Sequence, residues 1–385
     1  MNVVVVGSGF GGVKLALELS NKSGVKVTLV SKISNFEYHA ALYRSGTGRS
    51  PLEVVLPLRT IFKRSRNVTI EQDRIVGIDT KKKHVVSETG HTYKYDKVVF
   101  AMGNKVNYFG ISGLEESTMT LDTIANTIAL RHELTDVFKK KKRPKVAVIG
   151  AGPAGVELVG ELQHYADMVA EKYQLRPPHV QATIIEGANR LLPALDEKAS
   201  KKALKRLRQL KVRVKLGTQV DSCVPGKVCI SSGDIKADVI VWTAGSRAVG
   251  FYAEHPEVFE LERGRVRVDQ YLHAVGHEDI YVIGDNAATP HSGMAQTALH
   301  DATFVAENIL REQRRERPKW YRSITPIYAV PIGPKWAILQ TKTKVISGYK
   351  AWLARRRADL AIYRNFQPYK QAVKTWRKGN KPAKF

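Results

Sequence analysis

Two glycine-rich segments have the residue types and the spacing that bind a dinucleotide. The first, Gly7-Ser-Gly9-Phe-Gly-Gly12, follows the apolar run Val3–Val6, and the second, Gly150-Ala-Gly152-Pro-Ala-Gly155, follows Val146–Ile149. In such a motif the first glycine permits a tight turn, the second lets the backbone approach a pyrophosphate, and the third lets the helix pack on the strand. The helix that follows attracts phosphate through its free N–H groups and its positive dipole end. Two motifs in one chain predict two nucleotides that exchange electrons.

The residue that closes the second strand of each unit should meet a ribose. In the second unit this residue is Glu186, whose carboxylate would accept hydrogen bonds from a 2′-hydroxyl and repel a 2′-phosphate. This favours NADH over NADPH, although the nearby Arg190 leaves the preference open. In the first unit the strand ends at Ser31 and Lys32, so the expected acid is missing and any hydrogen bond to a ribose is weaker.

Length and cysteine content restrict the class of protein. A chain of 385 residues can hold two or three domains. No run reaches the roughly 18 apolar residues of a membrane span, and Met1-Asn2 offers no basic start for a signal peptide. Cys223 and Cys229 are neither a disulfide framework nor a Cys-x-x-Cys pair, so we expect reduced cysteines in a cytoplasmic protein. No metal site is predicted.

Positive charge is concentrated near the C-terminus. The chain has a net charge of +26, and residues 311–385 contain 20 Lys and Arg against three acids. Four of the five tryptophans also lie there: Trp320, Trp336, Trp352 and Trp376. Basic residues interleaved with tryptophan suit an anionic membrane surface, which predicts a peripheral protein on the cytoplasmic face of the cell membrane. A tail helix is predicted, with Lys350 and Arg355–Arg357 beside an apolar stripe of Tyr349, Trp352, Leu353, Leu360 and Tyr363. A helix that caps a domain and exposes a solvated basic face is the alternative.

A second basic run, Lys139–Arg143, is interpreted as a charged connector between domains. A nucleic-acid patch is the alternative, which we disfavour because the basic tail contains no recognisable nucleic-acid module.

The order of patterns predicts an α/β fold with two Rossmann-like dinucleotide-binding domains and a C-terminal basic amphipathic segment. The second unit is predicted to be inserted into the first. The predicted divisions are 1–118 and 246–316 for the first domain, 119–245 for the second and 317–385 for the tail. Helices are predicted at 121–140, at 198–210 and from 297 to 310.

This order resembles flavoproteins of the glutathione-reductase type, and within them the type II NADH:quinone oxidoreductases, which are single-chain NADH dehydrogenases that do not pump protons. The stretches that carry the resemblance are Asn107–Ile111, Gly150–Leu162, Glu186 with Arg190–Pro193, Val241–Gly245 and Tyr281–Asp285. The resemblance implies hydride transfer from NADH to FAD, followed by electron delivery to a membrane quinone. A homodimer is a further expectation.

The resemblance also implies which residues hold the cofactors. Gly7, Gly9 and Gly12 would cradle FAD, Asp285 would bind its ribityl or phosphate region, and Ala295-Gln296 would face the flavin ring. His39 and Tyr43 fall where the family chain passes near the flavin, although a structural role is equally expected. Together, the motifs and the resemblance predict cofactor binding by Gly7, Gly9, Phe10, Gly11, Gly12, Ser31, Lys32, Tyr43, Ala101, Gly103, Gly150, Gly152, Pro153, Ala154, Gly155, Glu186, Gly245, Gly284, Asp285, Ala295 and Gln296.

Two residues are predicted to be catalytic, Glu157 and Gln296. The resemblance places Glu157 at the junction of nicotinamide and flavin, with Glu161 one turn further along the same helix face. A helix-dipole role in the first turn is the alternative for Glu157. Quinone-reducing relatives carry two glutamines shortly after the position of Gln296, where this chain has His300-Asp301. That departure supports an alternative function, a soluble FAD-dependent reductase that donates electrons to an acidic protein or to oxygen.

Overall fold

Two parallel β-sheets form the frame of the protein. The computed structural model describes residues 1–379 and 381. The helices of this part are α1 (Phe10–Glu18), α2 (Leu42–Gly46), α3 (Leu58–Ile61), α4 (Leu114–Ser117), α5 (Ile124–Lys140), α6 (Pro153–Tyr173), α7 (Glu197–Gln209), α8 (Phe251–Glu254), α9 (Ala295–Gln313), α10 (Tyr349–Arg364) and α11 (Tyr369–Lys378). The strands are β1 (Asn2–Val6), β2 (Lys26–Ser31), β3 (Asn35–Glu37), β4 (Val55–Pro57), β5 (Val68–Gln72), β6 (Ile75–Asp79), β7 (His84–Ser87), β8 (Thr92–Lys94), β9 (Lys97–Phe100), β10 (Asn104–Val106), β11 (Lys145–Ile149), β12 (Gln181–Ile185), β13 (Arg213–Lys215), β14 (Ser222–Val224), β15 (Lys227–Cys229), β16 (Ile235–Lys236), β17 (Val239–Trp242), β18 (Ser246–Ala248), β19 (Leu261–Glu262), β20 (Arg265–Val266), β21 (Ile280–Val282), β22 (Tyr328–Pro331), β23 (Ala337–Gln340) and β24 (Val345–Gly348).

The first sheet has the strand order β21-β9-β1-β2-β5, and all neighbouring strands are parallel. Side chains alternate between its two faces. Val3 and Val5 pack into a core with residues of α1 and α9, whereas Val4 and Val6 pack into a second core that includes Phe100. Both faces are therefore covered, which explains the uninterrupted valine run of β1. The last strand of this sheet, β21, comes after the whole second sheet in the sequence.

The second sheet has the order β13-β12-β11-β17 and is also parallel. Val146 and Val148 of β11 pack against α5 and α6, and Ala147 and Ile149 pack into a separate core on the other face. The predicted helices at 121–140 and 198–210 are confirmed as α5 and α7, with slightly shifted ends.

The tail bridges the two sheet units. Its antiparallel sheet β22-β23-β24 places Val330 and Ile338, with Ile332 directly after β22, in the core of the second unit, beside α6. Tyr363 of α10, and Phe366 between α10 and α11, lie in the core of the first unit. No helix among the described residues is long and apolar enough to cross a bilayer.

The predicted helix in the tail is present, but its faces differ from the expectation. The predicted apolar stripe is not one exposed face, because Tyr363 is fully buried whereas Tyr349 is 55% exposed. Arg356, expected on a solvated basic face, is also buried. These differences follow from the position of α10, which packs on the first unit with the face that carries Arg356 and Tyr363.

Candidate nucleotide sites and a buried charge cluster

The first and third glycines of both fingerprints are required by close backbone contacts. Gly7 and Gly150 have φ values of 108° and 100°, a region that other residues rarely adopt. A Cβ on Gly12 would overlap the carbonyl oxygen of Gly7, and a Cβ on Gly155 would overlap that of Gly150. These contacts fix each turn tightly between its strand and its helix.

The middle glycines, Gly9 and Gly152, face open space. An added Cβ at either position would have no atom within 4 Å, and φ is ordinary at −76° and −67°. Helices α1 and α6 begin directly afterwards, without a side-chain cap and without an acid in the first turn. Both turns therefore leave room and free N–H groups for a pyrophosphate, so the residues present fit a dinucleotide at each site.

The other predicted residues of the first fingerprint site lie around the ends of the parallel strands. Ala101 and Gly103 follow β9, and Gly284 follows β21, so they share the edge at which β1 ends. The ring of Phe10 packs edge-on against Phe36, with 5.1 Å between centroids. Gly11 lies against Ile283 of the adjacent segment.

The hydroxyl of Ser31 is occupied by the protein itself. Ser31 is 5% exposed, its Oγ lies 2.7 Å from Ser8 Oγ, and it accepts a longer hydrogen bond of 3.3 Å from the N–H of Ile33. Lys32 is exposed. Ser31 therefore links β2 to the fingerprint turn, a role that the sequence pattern did not predict.

Asp285 lies beside the same strand ends. Its Oδ2 accepts a hydrogen bond from the Asn104 side chain at 3.0 Å. Burial raises the pKa of Asp285, and electrostatic interactions with His39 and Arg265 oppose that shift.

At the second fingerprint site, Glu186 and Arg190 have different partners. The Glu186 carboxylate accepts hydrogen bonds from the N–H groups of Ala151, at 2.6 Å, and Ala188, at 2.9 Å. The Arg190 guanidinium donates to the carbonyl oxygens of Leu195 and Pro193. Glu186 is therefore held at the fingerprint turn, whereas Arg190 is engaged elsewhere and is not free to bind a 2′-phosphate.

The remaining predicted residues of this site flank its turn. Pro153 and Ala154 form the exposed first turn of α6. Gly245 follows β17 with φ of 84°, and its backbone lies against the ring of Phe109.

The residues around the start of α9 fasten the segment that leads to the tail. The side chain of Gln296 donates to the Ile327 carbonyl at 2.7 Å and accepts from the Ile327 N–H at 3.1 Å. His300 Nε2 lies 2.8 Å from the carbonyl oxygen of Arg322. Both polar atoms of the Gln296 side chain are thus used in holding Ile327, next to β22.

Asp301 has a structural role that sequence reasoning missed. It is fully buried, and its carboxylate accepts hydrogen bonds from the Gly284 N–H at 3.0 Å and the Tyr321 hydroxyl at 2.6 Å. This acid joins α9 to the turn that precedes Asp285. In the sequence, Asp301 was notable only because His300-Asp301 stands where quinone-reducing relatives carry two glutamines.

A cluster of buried charges joins the tail to the first unit. Its members are Arg44, Glu53, Arg355, Arg356 and Asp359. Glu53 lies 2.8 Å from both Arg44 and Arg356. Asp359 lies 2.5 Å from Arg44, 3.0 Å from Arg355 and 3.1 Å from Arg356. Three guanidinium groups therefore face two carboxylates.

These arginines control the ionisation of Asp359. Burial alone would raise its pKa, but Arg44, Arg355 and Arg356 together hold that pKa well below its usual range. The Tyr38 hydroxyl also donates to Asp359, at 2.7 Å. Sequence reasoning assigned no role to this cluster. The feature that could have indicated a buried ion pair is Asp359, the one acid in the tail helices, which follows Arg355 by four positions.

Glu157 is the third carboxylate beside this cluster. It is 6% exposed, and its Oε1 lies 3.8 Å from Arg355 Nη1. Burial raises the pKa of Glu157 to about 8, with Arg355 and Arg44 opposing the shift. Because α6 begins at Pro153 and has no acid in its first turn, the helix-dipole alternative for Glu157 is wrong.

Tyr43 lies at the same place. It is buried, which raises its pKa to about 12, and its hydroxyl accepts a hydrogen bond of 3.3 Å from Arg44 Nε. The geometry thus gathers Glu157, Tyr43 and Arg355 where α2, α6 and α10 meet. A carboxyl group with this pKa can hold or release a proton near neutral pH.

The comparisons with known proteins agree with this architecture. Residues 1–302 match the pyridine nucleotide-disulphide oxidoreductase family. Type II NADH:quinone oxidoreductase Ndh of Mycobacterium tuberculosis is 31% identical over 82% of this chain and 73% of its own length. The type II NADH:quinone oxidoreductase of Haemophilus influenzae is 30% identical, over 80% of each chain.

Solved structures share the whole fold. NDH2 from Plasmodium falciparum in complex with NADH superposes with a TM-score of 0.86 at 17% identity, covering 98% of this chain and 97% of that one. The sulfide:quinone oxidoreductase of Aquifex aeolicus gives a TM-score of 0.82 at 19% identity, covering 98% and 92%. With the family match and the sequence relatives, the chain belongs to the type II NADH:quinone oxidoreductases, within the pyridine nucleotide-disulphide oxidoreductase family.

Proposed function

We propose that this protein oxidises NADH and reduces a quinone, with FAD bound at the Gly7 fingerprint and NADH bound at the Gly150 fingerprint. In this proposal residues 1–118 and 246–316 hold FAD, and residues 119–245 hold NADH. FAD, when bound, supplies the isoalloxazine that accepts a hydride and passes electrons on. The protein contributes orientation, exclusion of water and control of protons.

The observation that carries the proposal is a buried proton donor next to a fixed cation. Conversion of NADH, quinone and one proton into NAD⁺ and quinol needs a proton at the acceptor. Glu157, with a pKa of about 8, holds such a proton at neutral pH. Arg355, 3.8 Å away, stabilises the carboxylate once the proton has left. A reductase that passes single electrons to a protein partner has no need of this group.

The preference for NADH is supported by Glu186 and Arg190. The carboxylate faces the turn of the second fingerprint, where it would repel a 2′-phosphate. Arg190, a nearby cation that could bind that phosphate, is bonded to two carbonyl groups.

We further propose that the tail helices attach the protein to an anionic membrane surface, on the cytoplasmic face. Asp359, the acid of α10, is buried in the charge cluster, so the outer surface of α10 and α11 is cationic without neighbouring acids of its own. The exposed cations are Lys350, Arg357, Arg364, Lys370, Lys374 and Arg377. Each cation near an anionic membrane contributes about 1 kcal/mol, and salt screens this attraction.

The acceptor is tested by anaerobic half-reactions. The flavin of the purified protein is bleached with NADH and then mixed with a short-chain quinone, with oxygen, or with an acidic electron-carrier protein. Rapid reoxidation by quinone is expected. Slow reoxidation by quinone with rapid reoxidation by oxygen or by the protein would instead favour a soluble reductase, the candidate suggested by His300 and Asp301.

Membrane attachment is tested by sedimentation with vesicles of phosphatidylglycerol or phosphatidylcholine. Binding to the anionic vesicles alone, and its loss with added salt, is expected. Combined replacement of Lys370, Lys374 and Arg377 by Gln should weaken binding, whereas the same charge change on α7, at Lys201, Lys205 and Arg208, should not. Equal effects of the two sets would show that only overall charge matters.

A further inference from the structure

We infer that the proton consumed in quinone reduction enters along one face of α6, from His164 through Glu161 to Glu157. This inference rests on the proposed function and adds to it an entry route and two positioning residues, Glu161 and His164.

The spacing of the three residues places them on one face of α6. Positions 157, 161 and 164 are separated by four and then three residues, so their side chains are neighbours on the helix surface. With a rise of about 1.5 Å per residue, the steps along the axis are roughly 6 Å and 4.5 Å. Each step suits a direct hydrogen bond between mobile side chains or a bond through one water molecule.

Exposure increases along the same face. Glu157 is buried, Glu161 and His164 are partly buried, and Asp167 in the next turn is exposed. The stripe therefore connects the buried site near Arg355 with the surface of the protein, as a path for protons from solvent requires.

The surroundings of Glu161 favour its protonated form. Burial raises its pKa, and the opposing positive charges are Arg49 and Arg44 of the first unit and Arg206 of α7. Neither an ion pair nor a hydrogen bond engages its carboxyl group among the described contacts, so it is available to receive and pass on a proton.

His164 has the opposite tendency. Its Nε2 lies 3.3 Å from Arg49 Nη2. Burial and the Arg49 charge lower the pKa of His164, and Asp167 opposes them. The lowered pKa of His164 favours a neutral imidazole, which can take up a proton from solvent and pass it on. Burial favours the protonated forms of Glu161 and Glu157. The path therefore runs from the partly exposed His164 to the buried Glu157.

The inference predicts that the two half-reactions respond differently to substitution. Bleaching of the flavin by NADH transfers a hydride and needs no proton from this path. Reoxidation by quinone does need one. We therefore expect His164→Ala and Glu161→Gln to leave bleaching unchanged and to slow reoxidation by about tenfold or more, within the range for assisted proton transfer. His132→Ala, which removes an exposed histidine from α5, is the matched control.

Chemical rescue and pH dependence separate a proton path from a structural role. Added imidazole should restore reoxidation in His164→Ala but not in Glu161→Gln, and the loss in His164→Ala should grow as the pH rises. FAD content and thermal unfolding establish that each variant is folded. In the oxidised wild-type protein, an NMR titration of labelled histidine should give His164 a pKa below 6.5, the ordinary value for histidine.

Three results would overturn the inference. These are equal slowing of both half-reactions, an unchanged pH profile of reoxidation in both variants, and a His164 pKa at or above the ordinary value of 6.5. Failure of the wild-type protein to be reoxidised by any quinone would instead overturn the proposed function itself.

Discussion

Arg356 of α10 and Glu53 of the first unit form a buried ion pair at 2.8 Å, although 303 positions separate them in the sequence. Arg356 also donates to the carbonyl oxygen of Trp376, and its guanidinium lies 5.0 Å from the centre of that ring. The tail is therefore part of the core of the protein. Removing it after Arg317 would take Arg356 from Glu53 and Asp359 from Arg44, so point variants are the appropriate test of membrane binding.

Replacing Asp359 by Asn should destabilise the protein strongly. The change removes the carboxylate that Arg44, Arg355 and Arg356 share, and removal of one partner from a buried pair costs about 3–5 kcal/mol. Denaturant unfolding measures the loss, and proteolysis should release the tail first. The control is Asp136→Asn, an exposed acid on α5. Similar stabilities of the two variants would contradict the assigned role of the cluster.

Glu157→Gln should change how stability depends on pH. The pKa of Glu157 rises from 4.5, the ordinary value, to about 8 in the folded protein. Between these values the folded state binds more protons than the unfolded state, so its stability falls as the pH rises. Glu157→Gln removes this pH-dependent loss. The difference in thermal stability between the variant and the wild type should therefore shift in favour of the variant as the pH rises from 5 to 9. Glu171→Gln, an exposed change on the same helix, should show no such trend, and a constant offset for Glu157→Gln would refute the prediction.

Glu186→Gln should relax coenzyme preference. Loss of a charge-assisted hydrogen bond to the ribose should lower kcat/KM for NADH by about tenfold or more. Loss of repulsion should raise kcat/KM for NADPH. Steady-state rates with both coenzymes measure the ratio, and Glu197→Gln, at the exposed start of α7, is the control. An unchanged ratio would remove Glu186 from the ribose site.

Gly9→Ala and Gly152→Ala should each damage one nucleotide site. Both methyl groups point into open space, so the fold should persist. Gly9→Ala should reduce the FAD that copurifies. Gly152→Ala should keep FAD but raise KM for NADH. Each methyl group weakens the hydrogen bonds from backbone N–H groups to phosphate, which are worth about 1–3 kcal/mol. Each variant is the control of the other. Normal FAD content in Gly9→Ala together with normal KM in Gly152→Ala would refute the assignment. Gly155→Ala, which overlaps Gly150, should instead impair folding.

Much of the fold was predictable because its signals are local. The fingerprints, the apolar strands and the helices α5 and α7 depend on residues within one or two turns of each other. The strand end at Glu186 was equally readable, since its place next to the fingerprint turn follows from parallel pairing of β11 and β12.

The charge cluster could not be predicted in this way. Arg355, Arg356 and Arg357 are consecutive and chemically alike, yet the first two turn inward and Arg357 is exposed. Which of them are buried depends on Arg44, Glu53 and the packing of α10, and no local pattern contains that information. The same reason hid the roles of Gln296 and Asp301, whose partners Ile327 and Tyr321 lie on a segment without regular structure.

The bridging tail also determines the order in which the chain can complete its folding on the ribosome. Arg44 and Glu53 leave the exit tunnel early, but Arg356 and Asp359 are synthesised some 300 residues later. Until then, the nascent first unit holds charged groups that favour a hydrated, loosely closed state. Contacts of such long sequence separation form slowly. Residues 356 and 359 therefore complete the buried charge cluster of the first unit only after the whole second unit has been synthesised.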